Sequence, residues 1–331
     1  MKKWLCMFVS VVMLLCCVAC SQSLSPTSMN NENRIAVFGD KDTEIANSSY
    51  AFENAGVDAV SVVDKNTFSS PIICNHDGKT IIVTAPIFTG IPATAVYYQQ
   101  NHRFVNGFAT LSIATEDGAK TLCIDTKGRI TEKDAPISTT DEAYIWPSSI
   151  GADYSAGEGM YLYSDHSSEE SLYGLMDEKG NIITSPQYVG YLNFYGGYAV
   201  AQKANGTYVA IDSTGKEYGI LPGGRSAGEG TVIIQDGTPG NYSQYLYSIQ
   251  GERLSEGYDC ISYFENGLAL IEKDNKVGII DNNGTVILPP TIAFDTITYP
   301  PTTREYRIAF LDNNAFLLPI GGEFAVISIQ R

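Results

Sequence analysis

Gly278-Ile279-Ile280-Asp281-Asn282-Asn283-Gly284-Thr285-Val286-Ile287 decides how this chain is built. An apolar run enters a turn at Asp-x-x-Gly and leaves as a second apolar run. Asp at the first position and Gly at the fourth fit a type I turn closing a β-hairpin. The aspartate accepts backbone N–H bonds, and the glycine takes the left-handed conformation that follows. The same phrase stands at Gly174-Leu175-Met176-Asp177-Glu178-Lys179-Gly180-Asn181-Ile182-Ile183. Further copies carry Asp125 with Gly128 and Asp212 with Gly215. A variant has Asn75 in the Asp position before Gly78, and a worn copy ends at Gly251.

A second marker precedes each hairpin: a glycine followed by an apolar strand, often with an aromatic just before it. Gly56, Gly107, Gly159, Gly197, Gly230 and Gly267 follow one another at intervals of 33 to 52 residues. The turn glycines (Gly78, Gly128, Gly180, Gly215, Gly251 and Gly284) keep the same rhythm. Arg307-Ile308-Ala309-Phe310 reads as a seventh copy of the second marker, without its glycine. Two independent markers in step identify a repeat architecture of about seven units.

The chain resembles the WG-repeat proteins of bacteria. Their unit runs Phe-x-Glu-Gly-Leu-Ala, then Lys-Trp-Gly-Tyr-Ile-Asp-x-x-Gly-Lys, then Ile-x-Pro and Tyr-Asp. Here Phe264-Glu265-Asn266-Gly267-Leu268-Ala269 leads through Lys276-Val277-Gly278 to the Asp281 turn, then to Leu288-Pro289 and Phe294-Asp295. Tyr173-Gly174 likewise leads to Asp177, Pro186 and Tyr188. The Trp of the namesake dipeptide is replaced by Tyr173 and Val277, so these are divergent copies. The resemblance brings no catalytic residues with it.

Units this small cannot bury their own faces and must stack on their neighbours. The fold class expected is all-β: a six- or seven-bladed β-propeller over residues 34–331, with a linear β-solenoid as the alternative. Arg34–Phe38 and Phe324–Ile329 read as strands that could pair in one shared blade, removing the exposed edges of a linear stack.

The 331-residue chain holds 37 acidic against 21 basic residues, a formal charge of -16. Such a surface repels nucleic-acid phosphates, so nucleic acid is excluded as a partner. Lys2 and Lys3 precede the apolar stretch Trp4–Ala19, which is short for a membrane span and sized for a signal-peptide core. It ends in Cys17-Val18-Ala19-Cys20, which looks like a bacterial lipobox with Cys17 where Leu is usual. The expectation is a signal peptide over 1–19, lipid attached at Cys20, a polar tether over 20–33, and an extracytoplasmic location on the cell membrane. An ordinary secretory signal cut nearby is the alternative.

Chemistry-bearing patterns are sparse. The Asp- and Asn-rich turns suggest calcium loops, but a calcium loop needs several carboxylates converging in one loop. Asp281-Asn282-Asn283 supplies one. Gly224-Arg225-Ser226-Ala227-Gly228 fits a nucleophile elbow, yet His76, His102 and His166 all lie upstream of Ser226, against the order such a triad takes. No metal spacing is present, and no cofactor is implied. Cys74, Cys123 and Cys260 read as buried apolar residues. Tyr97, Tyr98, Tyr144, Trp146, Tyr188, Tyr191, Tyr258 and Tyr263 could pack between blades or gather on a rim to stack against sugars or peptides. The functional expectation is a non-enzymatic binding or scaffolding platform for a protein or glycan partner. A propeller enzyme acting on glycans is the alternative.

Overall fold

A computed structural model describes residues 36–37, 43–44, 60–61, 68–93, 96–98, 104, 107–115, 118–131, 147–164, 172–238, 241–297 and 314–331. These lie in one compact unit, residues 35–331. The described elements are antiparallel strands, with a short 3₁₀ helix at Pro147–Ile150. Cys20, the signal region and the tether lie outside the described residues.

The most regular unit shows how sequence becomes sheet. Cys260–Ile261 pairs with Leu268–Lys273, which pairs with Lys276–Asp281, which pairs in turn with Val286–Ala293. The first link is the two-residue turn Asn266-Gly267, with φ of 53° and 77°. The second is Asp274-Asn275, with φ of 54° and 57°. Positive φ at both positions marks type I′ turns, whose twist matches the strands they join. The third link is the Asp281–Gly284 turn.

Preceding units repeat this plan. Tyr154–Gly157, Met160–Ser164 and Leu172–Asp177 form one meander, continued through Tyr188–Val189 into Tyr198–Lys203, Tyr208–Asp212 and Glu217–Leu221. Arg225–Gly228, Thr231–Thr238 and Asn241–Ser248 form the next. The second sequence marker is thus a turn in its own right. Glu158-Gly159, Gly196-Gly197 and Glu229-Gly230 all have both residues at positive φ.

The chain's ends close on each other, with a partner different from the one expected. Glu323–Gln330 pairs with Ala315–Ile320 on one side and with Lys79–Val83 and Ile87–Pro92 on the other. Ala36–Val37 instead pairs with Thr43–Glu44. The physical reason is burial on two faces. Phe316, Leu318, Ile320, Ala325 and Ile327 pack with Leu268, Ile279, Leu288, Ile81 and Val83. Ala315, Leu317, Phe324 and Val326 pack with Ile91, Leu111, Leu122 and Ile124. A hairpin apolar on both faces needs cover on both, and it receives it from the last repeat and from the first described ones.

The result is the expected all-β repeat architecture, propeller-like in its succession of meanders and in the union of its ends, with no sheet closing on itself among the described residues.

Candidate functional site

Antiparallel meanders alternate their connections between the two ends of a sheet, so the Gly-marker turns and the Asp-x-x-Gly turns share one end. Contacts confirm this: Glu229 Oε2 accepts from Gly267 N at 2.7 Å and from Asn282 Nδ2 at 3.4 Å.

In the Asp-x-x-Gly turns one carboxylate oxygen has a constant task. Asp125 Oδ1 accepts from Lys127 N and Arg129 N, both at 2.9 Å. Asp177 Oδ1 accepts from Lys179 N at 2.9 Å and Asn181 N at 2.8 Å. Asp212 Oδ1 accepts from Thr214 N at 2.9 Å and Lys216 N at 3.1 Å. Asp281 Oδ1 accepts from Asn283 N at 3.0 Å and Thr285 N at 2.6 Å. Gly128, Gly180, Gly215 and Gly284 donate back to the aspartate carbonyl at 2.9 to 3.0 Å, with φ between 76° and 86°. This is a type I turn closed by a left-handed glycine. At Gly251 the pattern persists with the Ser248 hydroxyl in the aspartate's place.

The second oxygen varies. Asp125 Oδ2 takes Arg129 Nε at 2.6 Å, Asp177 Oδ2 takes Asn181 Nδ2 at 2.8 Å, and Asp212 Oδ2 takes the Tyr218 hydroxyl at 2.9 Å. Asp281 Oδ2 lies 3.1 Å from His76 Nε2. The His76 side chain is only 18% exposed and ties the hairpin of Ile72–His76 and Lys79–Val83 to the repeat that carries Asp281. The Asn75–Gly78 copy differs from expectation. Asp77-Gly78 alone makes a two-residue turn, with φ of 49° and 70°, because His76 pairs directly with Lys79.

Charge follows from these bonds. For Asp125 and Asp212, desolvation raises the carboxyl pKa but is outweighed by hydrogen bonds, chiefly from Arg129 and from Thr214 and Tyr218, which hold it below its ordinary value. Asp177 is lowered mainly by the Asn181 side chain and N–H. Tyr218, donating to Asp212, is pushed up to about 12.

The same turns are joints between repeats. A Cβ on Gly128 would sit 2.7 Å from Ile87 Cγ2, one on Gly215 2.6 Å from Thr184 Cγ2, and one on Gly180 3.3 Å from Ile150 O. On Gly251 and Gly284 it would overlap the carbonyl oxygens of Ile220 and Leu254. Each time the obstacle belongs to the repeat before. A second joint recurs at alternate repeats. Glu158 accepts from Gly196 N and Gly197 N at 2.7 and 2.8 Å, as Glu229 does from Gly267 N. Beside them Phe194 N donates to Ala156 O at 2.7 Å, and Phe264 N to Ala227 O at 2.9 Å.

A recess of about 210 Å³ lies where the ends meet, between His76, Lys79, Asn266, Asp281, Asn283 and Arg331.

The other end of the sheets differs in kind. Tyr154 begins its strand, Tyr173 is the second residue of Leu172–Asp177, and Tyr191 lies in the loop after Tyr188–Val189. Ring centroids are 4.8 Å apart for Tyr154–Tyr191, 5.9 Å for Tyr154–Tyr173 and 6.4 Å for Tyr173–Tyr191. Tyr191 is 71% exposed and Tyr154 40%. The neighbouring Tyr154 side chain holds the Tyr191 pKa above its ordinary value.

The remaining aromatics separate from this cluster. Tyr188 and Tyr258 are core residues, 0% and 1% exposed. Burial first, then Glu217 and Glu256 respectively, raise their pKa values. Lys203 bridges Glu217 at 2.8 Å and Lys273 bridges Glu256 at 3.1 Å, so both tyrosines have the same structural setting. Tyr263 stacks 4.2 Å from Tyr195 under Arg225. The side chains of Tyr97 and Tyr98, and all of Tyr144, Trp146, His102 and His166, lie outside the described residues. Ser226 is no elbow nucleophile. It is 3% exposed, in a strand, and its hydroxyl donates to Tyr195 O at 2.7 Å. Cys123 and Cys260 are buried thiols, and Cys74 is half-buried, its pKa raised by desolvation.

The WG containing repeat family model matches residues 173–208 and 257–276. The first begins at Tyr173 and includes Tyr188; the second includes Tyr258. No curated protein matches the chain. Among solved structures, BamB from Moraxella catarrhalis is 14% identical, covering 82% of this chain and 99% of its own, with a TM-score of 0.29. A gluconolactonase from Xanthomonas campestris is 10% identical over 83% and 98% of the two chains, at 0.28. The WD40 beta propeller domain of Doa1 is 7% identical over 79% and 96%, at 0.24. Likeness at that level carries no argument about function.

Proposed function

We propose that this chain is a lipid-anchored, extracytoplasmic repeat protein of a bacterial cell envelope that acts as a non-enzymatic binding platform. The observation that carries the reading is how the repeated polar groups are used. The recurring aspartates, and Glu158 and Glu229, spend their lone pairs on backbone N–H groups at turns and joints, which suits a rigid scaffold. Surface that the repeats do not share, the Tyr154–Tyr173–Tyr191 cluster above all, is then free to recognise a partner. The lysine-led apolar leader ending at Cys20 supports the anchor and the location.

Two measurements test this. Wild-type protein expressed in a bacterial host should take up labelled fatty acid and fractionate with membranes, and Cys20→Ser should do neither. A Cys20→Ser protein that still carries label overturns the anchor. Envelope material bound by the purified protein should be released with its mass unchanged, whereas shortened products would mark an enzyme.

A further inference from the structure

We propose that the Tyr154–Tyr173–Tyr191 cluster is a stacking platform for an uncharged polysaccharide chain, an assignment that rests on the binding-platform reading and names its ligand class.

Exposure comes first. Aromatic rings are usually placed where their area is buried, yet Tyr191 is 71% exposed and Tyr154 40% exposed, side by side on one rim. The rings are nonetheless held in place. Tyr154 meets Tyr173 and Tyr191 edge-on, at 69° and 79°, while Tyr173 and Tyr191 lie within 22° of parallel. Such contacts fix ring orientation before any ligand arrives. Pre-organisation of this kind lowers the entropy cost of binding.

The distances then choose among ligands. Inserting a group between two facing rings needs about 7 Å between them, twice a carbon–carbon contact of roughly 3.5 Å. The centroid separations of 4.8 to 6.4 Å leave no such slot. That rules out an aromatic cage closing around a quaternary ammonium, and a groove that grips proline between parallel rings. What is offered is the outer surface of the rings. A flat, solvent-facing ring suits the C–H face of a pyranose, with tyrosine hydroxyls at its edge for the sugar's own.

Charge removes the acidic polymers. The chain carries a formal charge of -16, and Asp153, adjacent to Tyr154, places a carboxylate beside the cluster, bonded to Ser164 N at 2.7 Å. Phosphate- or uronate-rich chains would be repelled.

The test uses the full-length protein in detergent, titrated calorimetrically with cellohexaose, hexa-N-acetylchitohexaose and maltohexaose. At least one should bind saturably. Tyr191→Ala should weaken that binding tenfold or more, and Tyr191→Phe, which keeps the ring, by less than threefold. Ile220→Ala, at a position elsewhere that is also 71% exposed, should change nothing. An unaltered melting temperature for Tyr191→Ala separates loss of the ring from loss of the fold. Failure of all three sugars to bind with Kd below about 1 mM (about 4 kcal/mol of binding free energy) overturns the proposal, as does a Tyr191→Ala variant that binds like wild type. Should decaproline bind instead, with loss on Tyr191→Ala, the ligand class is wrong while the platform reading stands. Shortened sugars would instead sink the non-enzymatic reading and leave the site assignment intact.

Discussion

The two ends of the sheets use the same residue classes for opposite purposes. At the turn end, Asp125, Asp177, Asp212 and Asp281 repeat, and each gives Oδ1 to two backbone N–H groups of its own turn. At the other end, Tyr154 and Tyr191 are exposed beside a half-buried Tyr173 that also packs on the core, and the grouping belongs to one part of the chain. The tyrosines that do recur, Tyr188 and Tyr258, are buried. In a repeat protein, what recurs is what neighbouring units need from each other. A polar residue that recurs is therefore evidence for a joint, and a departure from the repeat is where recognition should be sought.

The comparison can be broken at either end. The larger effect is expected from the turn aspartates. Asp212→Ala strands the N–H groups of Thr214 and Lys216 and the Tyr218 hydroxyl. It should lower unfolding stability by about 1–2 kcal/mol in denaturant titration, the order expected for lost charge-assisted hydrogen bonds. Glu178→Ala, an exposed acid of the Asp177 turn at ordinary negative φ, should cost a few tenths of a kcal/mol at most. Equal losses would remove the distinction between turn aspartates and ordinary surface charge.

A smaller effect per site should appear with pH. Asp125, Asp177 and Asp212 have folded pKa values below the ordinary 3.8. Between the folded and unfolded values the unfolded chain binds more protons, so stability rises with pH in that window. The contribution is complete above the unfolded value and is lost as pH falls through the folded ones. Thermal melts should therefore be insensitive to these groups from pH 7 to about 5 and fall below pH 4. Asp→Asn at all three positions should flatten the acid limb, and an unchanged acid limb would show that the turns do not contribute.

The same contrast explains what could be read in advance. Asp-x-x-Gly is legible because its bonds close within five residues, so Asp and Gly carry the whole instruction. The other turn type was half legible. Its glycine stood out, but Glu158 and Glu229, at φ of 51° and 52°, are not turn formers by local chemistry. Each carboxylate bonds to the turn glycines one repeat on, a contact no local pattern announces. Chain closure was read in the right spirit with the wrong partner, because Arg34–Phe38 is as apolar as Lys79–Val83. Only two-sided burial of the C-terminal hairpin tells them apart. The tyrosine cluster left no spacing signal, since it draws on two strands and the loop after a third. Tyr173 stood in the sequence merely as a substitute for the family's Trp.

The joint itself offers the most direct measurement. Gly78 and Gly284 both take left-handed backbone, at φ of 70° and 86°, so alanine at either bears a similar conformational penalty of about 1–2 kcal/mol. They differ in surroundings. A Cβ on Gly78 has nothing within 4 Å, whereas one on Gly284 meets the carbonyl of Leu254 in the preceding repeat. Denaturant unfolding of Gly78→Ala and Gly284→Ala should show Gly284→Ala weaker by a further 1–3 kcal/mol or so, the order of an overpacked contact. Equal losses at the two glycines would mean that the Asp-x-x-Gly turn serves its own hairpin alone and does not join one repeat to the next.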